Sequence, residues 1–571
     1  MKSKDFVVRF AGEGGQGMVT SAEGLAQAAA QVGYHVLTYV TFPSQIMGGP
    51  TLAQARISTT PVESAGDQLD ALICFNRDAY DAHKALVRDG GVIIYNSEDF
   101  QLEDDGKSVG LPFAELARST GNARAENMVV IGAFAHLISM PPEYLEAFVT
   151  KRFTRGRPGD EEIIRANIEA LKLGRDRIAE SGFSLGELPP PQPPECDQIL
   201  IKGNDSLALG AVAGGVNFFV GYPISPATTI LVYMERNLIG PGRFVYQASS
   251  EIESISALVG AGFAGRKAMT STSGPGLSLM SEGIGMAWMM EVPLVIACIM
   301  RGGPATGLPT KTEQSDFTAA LHPAHGDASI PIIAPGTVEE CFWAAGHALN
   351  WAERYQGPVI LLSDHNLSER AQNIPTPDLG AVVVETRQVY TGDNGYQRYD
   401  GSAVSPMPIP GGPGSYVANA SEHDGLGDTT HLAERHVEMT ERRFAKLKLL
   451  EDGDYEGRNT QAAVAVMPWG ATKGPMQEAY ETLLEQGNEI AWYYTMYLHP
   501  LPPKLVEELK GKDLVIVPEL NYLGQFSGYL REMGIKAESI TQYTGMPFEV
   551  RDLVRRVSER AAAHTERMVH A

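Results

Sequence analysis

The sequence predicts an α/β protein made of three open-sheet domains. Short apolar strands alternate with helical segments along most of its 571 residues, a pattern typical of sheets with parallel strands. Chains of this length usually form about three or four domains. Five prolines in the six positions 189–194 exclude both a helix and a central strand. This segment is therefore predicted to be a semi-rigid linker and the clearest domain boundary.

The first predicted domain covers residues 1–186. The alternation of its elements predicts a parallel sheet. Its strands are predicted at 6–11, 36–41, 71–74 and 91–95, with a helix of small residues at 21–32.

A glycine-rich loop joins the first strand to the first helix. Gly12, Gly14 and Gly17 match the GxGxxG pattern of dinucleotide sites. Such sites also need an acidic residue about 20 positions further on, at the end of the second strand. No acid occurs between Glu23 and Glu63, so the sequence argues against a dinucleotide site. Backbone amides at the start of a helix could still hold another phosphate group, and the alternative is a tight turn without a ligand.

The linker is assigned to residues 187–197 and the second domain to residues 198–375. The segment Asn204-Asp205-Ser206 is expected to cap a helix that runs from Leu207 to Gly215.

A short strand at 218–221 leads into a loop in which Pro223 and Pro226 stand on either side of Ser225. Prolines restrict the backbone, so this loop would hold the hydroxyl with little conformational freedom. The alternative is a plain turn. A late core strand of the same domain is predicted at 358–362.

Residues 376–460 are expected to form a crossing or lid segment followed by a charged helix. The first 55 or so of these residues have little periodicity and are too many for a simple connection. The third domain is assigned to residues 461–571, with strands at 463–467 and 514–517 and a helix at 473–485.

The chemistry is expected in residues 249–314, where an acid, an arginine and hydroxyls stand at the ends of apolar segments. Glu251 begins a helix of small residues, and a carboxylate at such an apolar rim can exchange protons near neutrality. The alternative is a simple helix-dipole role. Arg301 follows the apolar run 292–300 and could hold a carboxylate or phosphate by a bidentate pair, or form a structural ion pair. Thr310 lies in the same loop.

The composition restricts the class of protein. A net charge of −23 and a pI of about 5.0 argue against a general nucleic-acid binder. The four cysteines are widely spaced, which argues against a disulfide framework, a zinc site or an iron–sulfur cluster built by this chain alone. No apolar run approaches the roughly 20 residues that span a bilayer, and the N-terminus lacks the apolar stretch of a signal peptide. We therefore expect a cytoplasmic protein.

Several strings resemble the alpha subunit of 2-oxoacid:ferredoxin oxidoreductases, and the 2-oxoglutarate branch is the most similar. In the second domain the strings are GYPISP at 221–226, TSGPG at 272–276 and RGGPATGLPTKTEQ at 301–314. The third domain, with NYLGQ at 521–525, resembles the family's transketolase C-terminal-like domain. With the three strings at 221–226, 272–276 and 301–314, the second domain resembles a thiamine diphosphate domain of the pyrimidine-binding type.

The first domain resembles the gamma domain of this family, fused here to the alpha chain. The resemblance rests on GGQG at 14–17 and ENM at 126–128. On this basis Gly14, Gly15, Gln16 and Gly17 are assigned to cofactor binding, and coenzyme A is expected to bind the domain.

The resemblance implies a thiamine diphosphate enzyme that converts a 2-oxoacid and coenzyme A into acyl-CoA and carbon dioxide. Two electrons would leave singly through an iron–sulfur cluster to ferredoxin, and the reverse carboxylation is also family chemistry. It implies that Glu251 bonds N1′ of the cofactor's aminopyrimidine and favours the imino tautomer that can deprotonate the thiazolium carbon. It also implies that Arg301 holds the substrate carboxylate and that the hydroxyls of Thr310 and Ser225 contact the substrate.

The sequence departs from the family pattern at three places. Ser225 stands where relatives usually have threonine, so the hydroxyl remains but its rotamer is less restricted. Ala305 stands where serine is common. Gln45-Ile46-Met47-Gly48-Gly49 replaces the usual acidic–arginine–diglycine segment of the gamma domain.

The sequence contains no Gly-Asp-Gly, with which a thiamine diphosphate site usually begins its magnesium motif. The resemblance therefore implies a beta subunit that carries the Mg2+ site and a [4Fe-4S] cluster, in a dimer of alpha–beta heterodimers. The alternatives are the same chemistry on pyruvate or a branched-chain 2-oxoacid, or a non-catalytic scaffold subunit.

Overall fold

The computed structural model of the chain describes residues 4–43, 48–392, 395–400 and 403–570. It forms two compact units: the first holds Met1–Ile201 with Glu369–Thr376, and the second holds Lys202–Ser368 with Pro377–Ala571. Three open sheets lie in the described ranges, one in the first unit and two in the second, so the predicted α/β fold class is confirmed. No helix within these ranges is both long and apolar enough to cross a membrane.

The strands are, in chain order, β1 (Asp5–Glu13), β2 (His35–Thr41), β3 (Pro50–Ser58), β4 (Leu69–Cys74), β5 (Val87–Asn96), β6 (Ser108–Leu111), β7 (Gln198–Lys202), β8 (Phe218–Gly221), β9 (Phe244–Gln247), β10 (Ala268–Thr272), β11 (Leu294–Met300), β12 (Ile332–Ile333), β13 (Pro358–Asp364), β14 (Ala371–Pro375), β15 (Glu456–Arg458), β16 (Val464–Val466), β17 (Ala491–Tyr494), β18 (Tyr497–His499), β19 (Leu514–Glu519) and β20 (Ala537–Thr541).

The α-helices are, in chain order, α1 (Met18–Gln31), α2 (Arg77–His83), α3 (Phe113–Ser119), α4 (Glu126–Leu137), α5 (Pro142–Phe153), α6 (Asp160–Ser181), α7 (Gly203–Ala213), α8 (Thr228–Asn237), α9 (Glu251–Phe263), α10 (Gly274–Leu279), α11 (Ser281–Met290), α12 (Phe317–Leu321), α13 (Val338–Tyr355), α14 (His365–Glu369), α15 (Ala433–Ala445), α16 (Lys473–Glu485), α17 (Pro503–Lys510), α18 (Gln525–Glu532) and α19 (Val550–His570). Short 3-10 helices lie at Lys84–Leu86, Leu379–Ala381, Lys446–Leu450 and Gly470–Thr472.

The sheet of the first unit has the strand order β6-β5-β4-β1-β3-β2-β14-β7. β1, β4, β5 and β6 are parallel, but β3 runs antiparallel to both β1 and β2. The expectation of a parallel sheet is therefore wrong for this part of the domain.

The polar residues of β3 explain why the apolar pattern does not predict this strand. Gln54 and Arg56 interrupt the pattern. In the sheet, Gln54 Oε1 accepts hydrogen bonds from Nε and Nη2 of Arg9 at 3.0 and 2.7 Å, and Arg56 pairs with Asp5 at 2.7 Å. Polar side chains on β1 thus compensate for those on β3.

The large sheet of the second unit has the order β18-β12-β13-β11-β10-β8-β9, in which all strands are parallel except β18. Helices cover it: α9 packs on β8 and β10, and α13 packs on β11 and β13. Because β11 is buried along its whole length, its side chains form the centre of the core.

The start of α7 differs from the prediction. The helix begins at Gly203, so all three residues 204–206 lie inside its first turn and the predicted capping role is wrong. Asn204 Nδ2 instead donates to the Pro226 carbonyl at 3.0 Å and to Thr229 Oγ1 at 2.8 Å. These bonds fasten the loop that follows β8.

The small sheet of the second unit has the order β15-β17-β16-β19-β20 and is parallel except for β15. The neighbouring strand β18 leaves this sheet and pairs with β12 at the edge of the large one. The chain segment after β17 thus supplies an edge strand to the large sheet.

A buried ion cluster fastens the segment 377–450, including α15, to the end of α11. Glu291 pairs with Arg442 at 2.9 Å and with Lys446 at 3.0 Å, and its carbonyl accepts from Arg398 at 3.0 Å. Burial opposes ionisation of Glu291, but Lys446, Arg398 and Arg442 outweigh it and lower the pKa of its carboxyl to about 2.

Glu291→Gln is expected to destabilise the chain by about 3–5 kcal/mol, because it leaves buried cations without their anion. The wild-type free energy of unfolding should also fall as the pH drops from about 4.5 towards about 2, since the paired carboxylate must then be protonated. The variant should lose less stability over this pH range, because the contribution of Glu291 is gone while other paired carboxylates such as Glu422 and Glu456 remain.

Urea unfolding measured over that pH range tests the prediction. Glu282→Gln on the same helix is the control, because the Glu282 side chain is 81% exposed, and its effect should stay within about 0.5 kcal/mol. Equal stabilities of the Glu291 and Glu282 variants would contradict the role of the cluster.

Candidate functional site

The carboxyl ends of the parallel strands form one edge of the large sheet. Ser225 follows β8, Glu251 follows β9, and Arg301 follows β11 and opens the loop that carries Thr310. The chain order reverses between β8 and β10, and open α/β sheets bind ligands at such a switch point. The structure therefore brings the four predicted residues of the second domain to the same edge.

Glu251 is the first residue of α9 and is only 5% exposed. The helix is capped by Ser250, whose Oγ accepts from the amide of Glu253 at 3.2 Å, and Glu253 itself accepts from the Ser249 amide at 2.7 Å. Glu251 takes no part in this cap, and its carboxylate has no hydrogen-bond partner in the part of the chain that the structure describes.

Gly276 leaves space in front of the Glu251 carboxylate. A Cβ at this position would lie 2.7 Å from Glu251 Oε1 and 2.0 Å from Thr272 Oγ1. Since real Cβ atoms do not approach so closely, the first turn of α10 needs glycine at this position to accommodate the acid.

Arg301 is 7% exposed, and backbone carbonyls fix its guanidinium. Nη1 donates to the Ser225 carbonyl at 2.7 Å, and Nη2 donates to the Thr306 carbonyl at 3.4 Å. Nε is buried and has no partner among the described residues. Burial lowers the pKa of Arg301 and Asp316 opposes this effect, so the group remains a cation whose Nε–H is not yet used as a donor.

The loop after β11 closes on itself and presents Thr310, which is buried. The amide of Gly302 donates to the Lys311 carbonyl at 3.0 Å, and Thr312 Oγ1 donates to Asp364 Oδ1 at the end of β13 at 3.1 Å. Thr310 is thus held between two fixed points of the loop.

Gln314 attaches this loop to the small sheet. Its Nε2 donates to the Trp469 carbonyl at 2.9 Å, its Oε1 accepts from the Leu520 amide at 3.1 Å, and its carbonyl accepts from Asn521 Nδ2 at 3.1 Å. The last domain therefore positions the loop that follows β11.

Asp316 is a residue of the site that sequence analysis missed. Burial raises the pKa of its carboxyl, Glu313 raises it further and Arg301 opposes both, with a result of about 6. An aspartate in a loop of mixed polarity gave no signal for this in the sequence.

The glycine loop of the first unit forms a tight turn before α1. Gln16 Oε1 accepts from the Glu13 amide at 2.7 Å, so this side chain closes the turn. Gly15 and Gly17 have φ values of 101° and 91°, which only glycine adopts readily. The amide of Gly14 donates to the Gly49 carbonyl at 3.1 Å and is not available to a ligand.

The same loop contacts the second string that resembles the gamma domain. A Cβ at Gly17 would lie 2.3 Å from Asn127 Oδ1, so the start of α1 and the start of α4 meet here. The structure thus brings the GGQG and ENM strings together. Of the departing segment 45–49, residues 45–47 lie outside the described ranges.

Two family models match the chain. Residues 7–177 match the model described as pyruvate ferredoxin/flavodoxin oxidoreductase. Residues 209–442 match the model described as pyruvate flavodoxin/ferredoxin oxidoreductase, thiamine diphosphate-binding.

Curated relatives resemble nearly the whole chain. The 2-oxoglutarate oxidoreductase subunit KorA of Mycobacterium tuberculosis is 31% identical, over 95% of this chain and 90% of the relative. The chain belongs to the family of 2-oxoacid:ferredoxin oxidoreductase alpha subunits. A second relative, subunit alpha of 2-oxoacid:ferredoxin oxidoreductase 2 from Aeropyrum pernix, is 30% identical, over 97% of this chain and 98% of the relative. The resemblance inferred from the sequence is confirmed.

A solved member of this oxidoreductase family has the same fold. It is the 2-oxoglutarate:ferredoxin oxidoreductase of Magnetococcus marinus with 2-oxoglutarate, coenzyme A and succinyl-CoA bound. The match has a TM-score of 0.92 and 35% identity, and it covers 98% of this chain and 100% of the solved one.

The sheet edge that carries Glu251 suits the aminopyrimidine end of thiamine diphosphate. Glu251 is 5% exposed and its carboxylate has no hydrogen-bond partner among the described residues, and a side chain at Gly276 would collide with it. The protonated ring nitrogen of an aminopyrimidine would donate a hydrogen bond to such a carboxylate. In the described ranges, no group of three or more His, Cys, Asp or Glu side chains could hold a metal ion.

Proposed function

We propose that this chain is the alpha subunit of a 2-oxoglutarate:ferredoxin oxidoreductase. With a beta subunit it would convert 2-oxoglutarate and coenzyme A into succinyl-CoA and carbon dioxide. Two ferredoxins would each take one of the two electrons, and the reaction could run in the carboxylating direction. The names of the relatives and of the solved structure support 2-oxoglutarate as the substrate.

The observation that carries the proposal is a pair of buried, incompletely bonded groups of opposite charge at the same sheet edge. Glu251 has a carboxylate with no partner in the described ranges, and Arg301 has a buried Nε with none. An unsatisfied buried polar atom such as Arg301 Nε costs about 1–3 kcal/mol, so we expect a ligand to complete the arginine. The unpaired Glu251 carboxylate offers an acceptor at the same edge. An aminopyrimidine at the acid and a carboxylate at the arginine supply the matching groups.

Each residue has one task in this proposal. Arg301 binds the carboxylate of the 2-oxoacid next to the oxo group, and the hydroxyls of Thr310 and Ser225 orient it. Glu251 bonds N1′ of the aminopyrimidine and thereby holds a proton at that nitrogen. Thiamine diphosphate, when bound, supplies a nucleophilic carbon and stabilises the negative charge left when carbon dioxide departs.

The remaining parts of the machinery are assigned to the beta subunit. We propose that it carries the Mg2+ ion for the diphosphate and the [4Fe-4S] cluster that passes electrons to ferredoxin, because the sequence of this chain has no Gly-Asp-Gly and no clustered cysteines. The complex would be a dimer of alpha–beta heterodimers in the cytoplasm.

Coenzyme A is proposed to contact the first unit at Gly14, Gly15, Gln16 and Gly17. The support is the position of this loop at the start of α1, where backbone amides and the helix dipole favour phosphate. The Gly14 amide and the Gln16 side chain are already used inside the turn, so Gly15 and Gly17 are the better candidates.

Reconstitution with the beta subunit tests the function. We expect the complex to reduce ferredoxin only when 2-oxoacid and coenzyme A are both present, with kcat/KM at least about tenfold higher for 2-oxoglutarate than for pyruvate or branched-chain 2-oxoacids. A preference for pyruvate would contradict the substrate assignment. Full activity of the beta subunit alone would contradict a catalytic alpha subunit and favour a scaffold.

A further inference from the structure

Asp316 stands at the N-cap of α12 but does not cap it. Aspartate at this position normally accepts a hydrogen bond from an amide of the first turn. Here the Asp316 side chain makes no such bond. The amide of Thr318 instead donates to Gln525 Oε1, at the start of α18, at 3.0 Å. A glutamine from the last domain thus performs the capping and leaves the aspartate available for another role.

The released carboxylate turns towards the first turn of α10. A Cβ at Gly274 would lie 2.6 Å from Asp316 Oδ2 and 2.9 Å from Oδ1. Oδ2 is buried and has no hydrogen-bond partner among the described residues. Since Glu251 approaches the same turn at Gly276, the two acids lie against its two glycines.

Among the described residues, the groups that influence the charge of Asp316 are Glu313 and Arg301, and Glu251 lies against the same turn of the chain. Glu313 lies on the same loop and raises its pKa, Arg301 at the end of β11 lowers it, and the Cys298 thiol of β11 has its own pKa raised by burial and by the aspartate. The sequences of α10 and α12 contain no titratable residue. Asp316 and Arg301 influence each other without an ion pair within 4 Å, so the arginine is not neutralised by it.

We propose that Asp316 takes up a proton from solvent when a 2-oxoacid binds its carboxylate to Arg301. The inference rests on the proposed function, which places that carboxylate beside the arginine. A second anion next to a buried carboxylate disfavours the ionised form, and it also occupies the cation that had favoured ionisation. Asp316 would thus be a substrate-linked proton acceptor of the site.

The proton uptake gives the affinity for the 2-oxoacid a defined pH dependence. Below a pH of about 6 Asp316 is already protonated and no further proton is needed. As the pH rises above this value, the proton that binding requires comes from a solution with a lower proton concentration. The affinity for the 2-oxoacid therefore falls by at most about tenfold per pH unit. The decline ends at the pKa that Asp316 has in the complex with substrate.

Calorimetry on the alpha–beta complex tests the proposal. The complex is freed of thiamine diphosphate and coenzyme A so that binding of 2-oxoglutarate is not followed by turnover. Titrations at about pH 6.5 in buffers of different ionisation enthalpy should give an uptake of about half a proton per molecule bound, if the substrate raises the pKa by about one unit. Asp316→Asn should abolish both this uptake and the pH dependence of the affinity.

Two further variants make the test specific. Glu313→Gln should move the onset of the decline to lower pH without removing it, because Glu313 raises the pKa of Asp316. Asp327→Asn, an exposed acid on a nearby loop, should change neither quantity. Uptake that persists in Asp316→Asn, or wild-type binding without any uptake, would overturn the proposal. Failure of wild type to bind any 2-oxoacid, or unchanged binding in an Arg301 variant, would overturn the proposed function instead.

Discussion

Glu251→Gln is expected to lower turnover of the reconstituted complex by about 100- to 10,000-fold, the range typical for loss of one positioned proton-transfer group. Glutamine keeps the length of the side chain and one oxygen acceptor, but it cannot carry a negative charge or accept a proton. Glu251 has no hydrogen-bond partner within the described ranges, so the substitution breaks no bond of the fold. Stability and assembly with the beta subunit should be unchanged.

The neighbouring acid Glu253 provides the matched control. Its carboxylate accepts from Ser249 at 2.7 Å and caps the same helix, a role that a glutamine oxygen can retain. Glu253→Gln should therefore keep nearly full turnover. Steady-state rates and calorimetric binding of thiamine diphosphate separate the loss of chemistry from the loss of cofactor. Turnover of Glu251→Gln within about threefold of wild type would contradict the proposed role.

The fold class could be predicted because strands that are buried on both faces leave continuous apolar runs in the sequence. The predicted strand at 218–221 and the predicted helix at 473–485 coincide with β8 and α16. β3 could not be predicted in this way, because Gln54 becomes acceptable inside the sheet only through Arg9, 45 positions away on β1. The apolar pattern of a segment does not show which distant residues will pair with its polar side chains.

The position of the candidate site could also be predicted, because the apolar runs show where the strands end. Glu251 and Arg301 follow the carboxyl ends of strands, and parallel topology brings those ends together. Asp316 could not be predicted, because its release from capping depends on Gln525, which lies 207 positions from the amide that it caps. The roles of all these residues in binding and catalysis stay predictions until the variants are measured.

Arg301→Lys is expected to raise KM for 2-oxoglutarate by about 10- to 100-fold, which corresponds to loss of one charge-assisted hydrogen bond. Two guanidinium nitrogens already donate to the carbonyls of Ser225 and Thr306, and these bonds fix the plane of the group. A lysine keeps the positive charge, but its single ammonium cannot replace both bonds and also bind a carboxylate with a planar fork. The loops after β8 and β11 would then lose their common anchor.

The separation of KM from kcat decides what Arg301 does. A group that binds the substrate carboxylate equally in the ground state and the transition state raises KM when it is removed and leaves kcat largely unchanged. Arg266→Lys is the control, because Arg266 is exposed and also donates to a backbone carbonyl, that of Gly242 at 3.0 Å. If Arg301→Lys lowered kcat with KM unchanged, the arginine would stabilise charge that develops during the reaction, and the substrate carboxylate would need another partner.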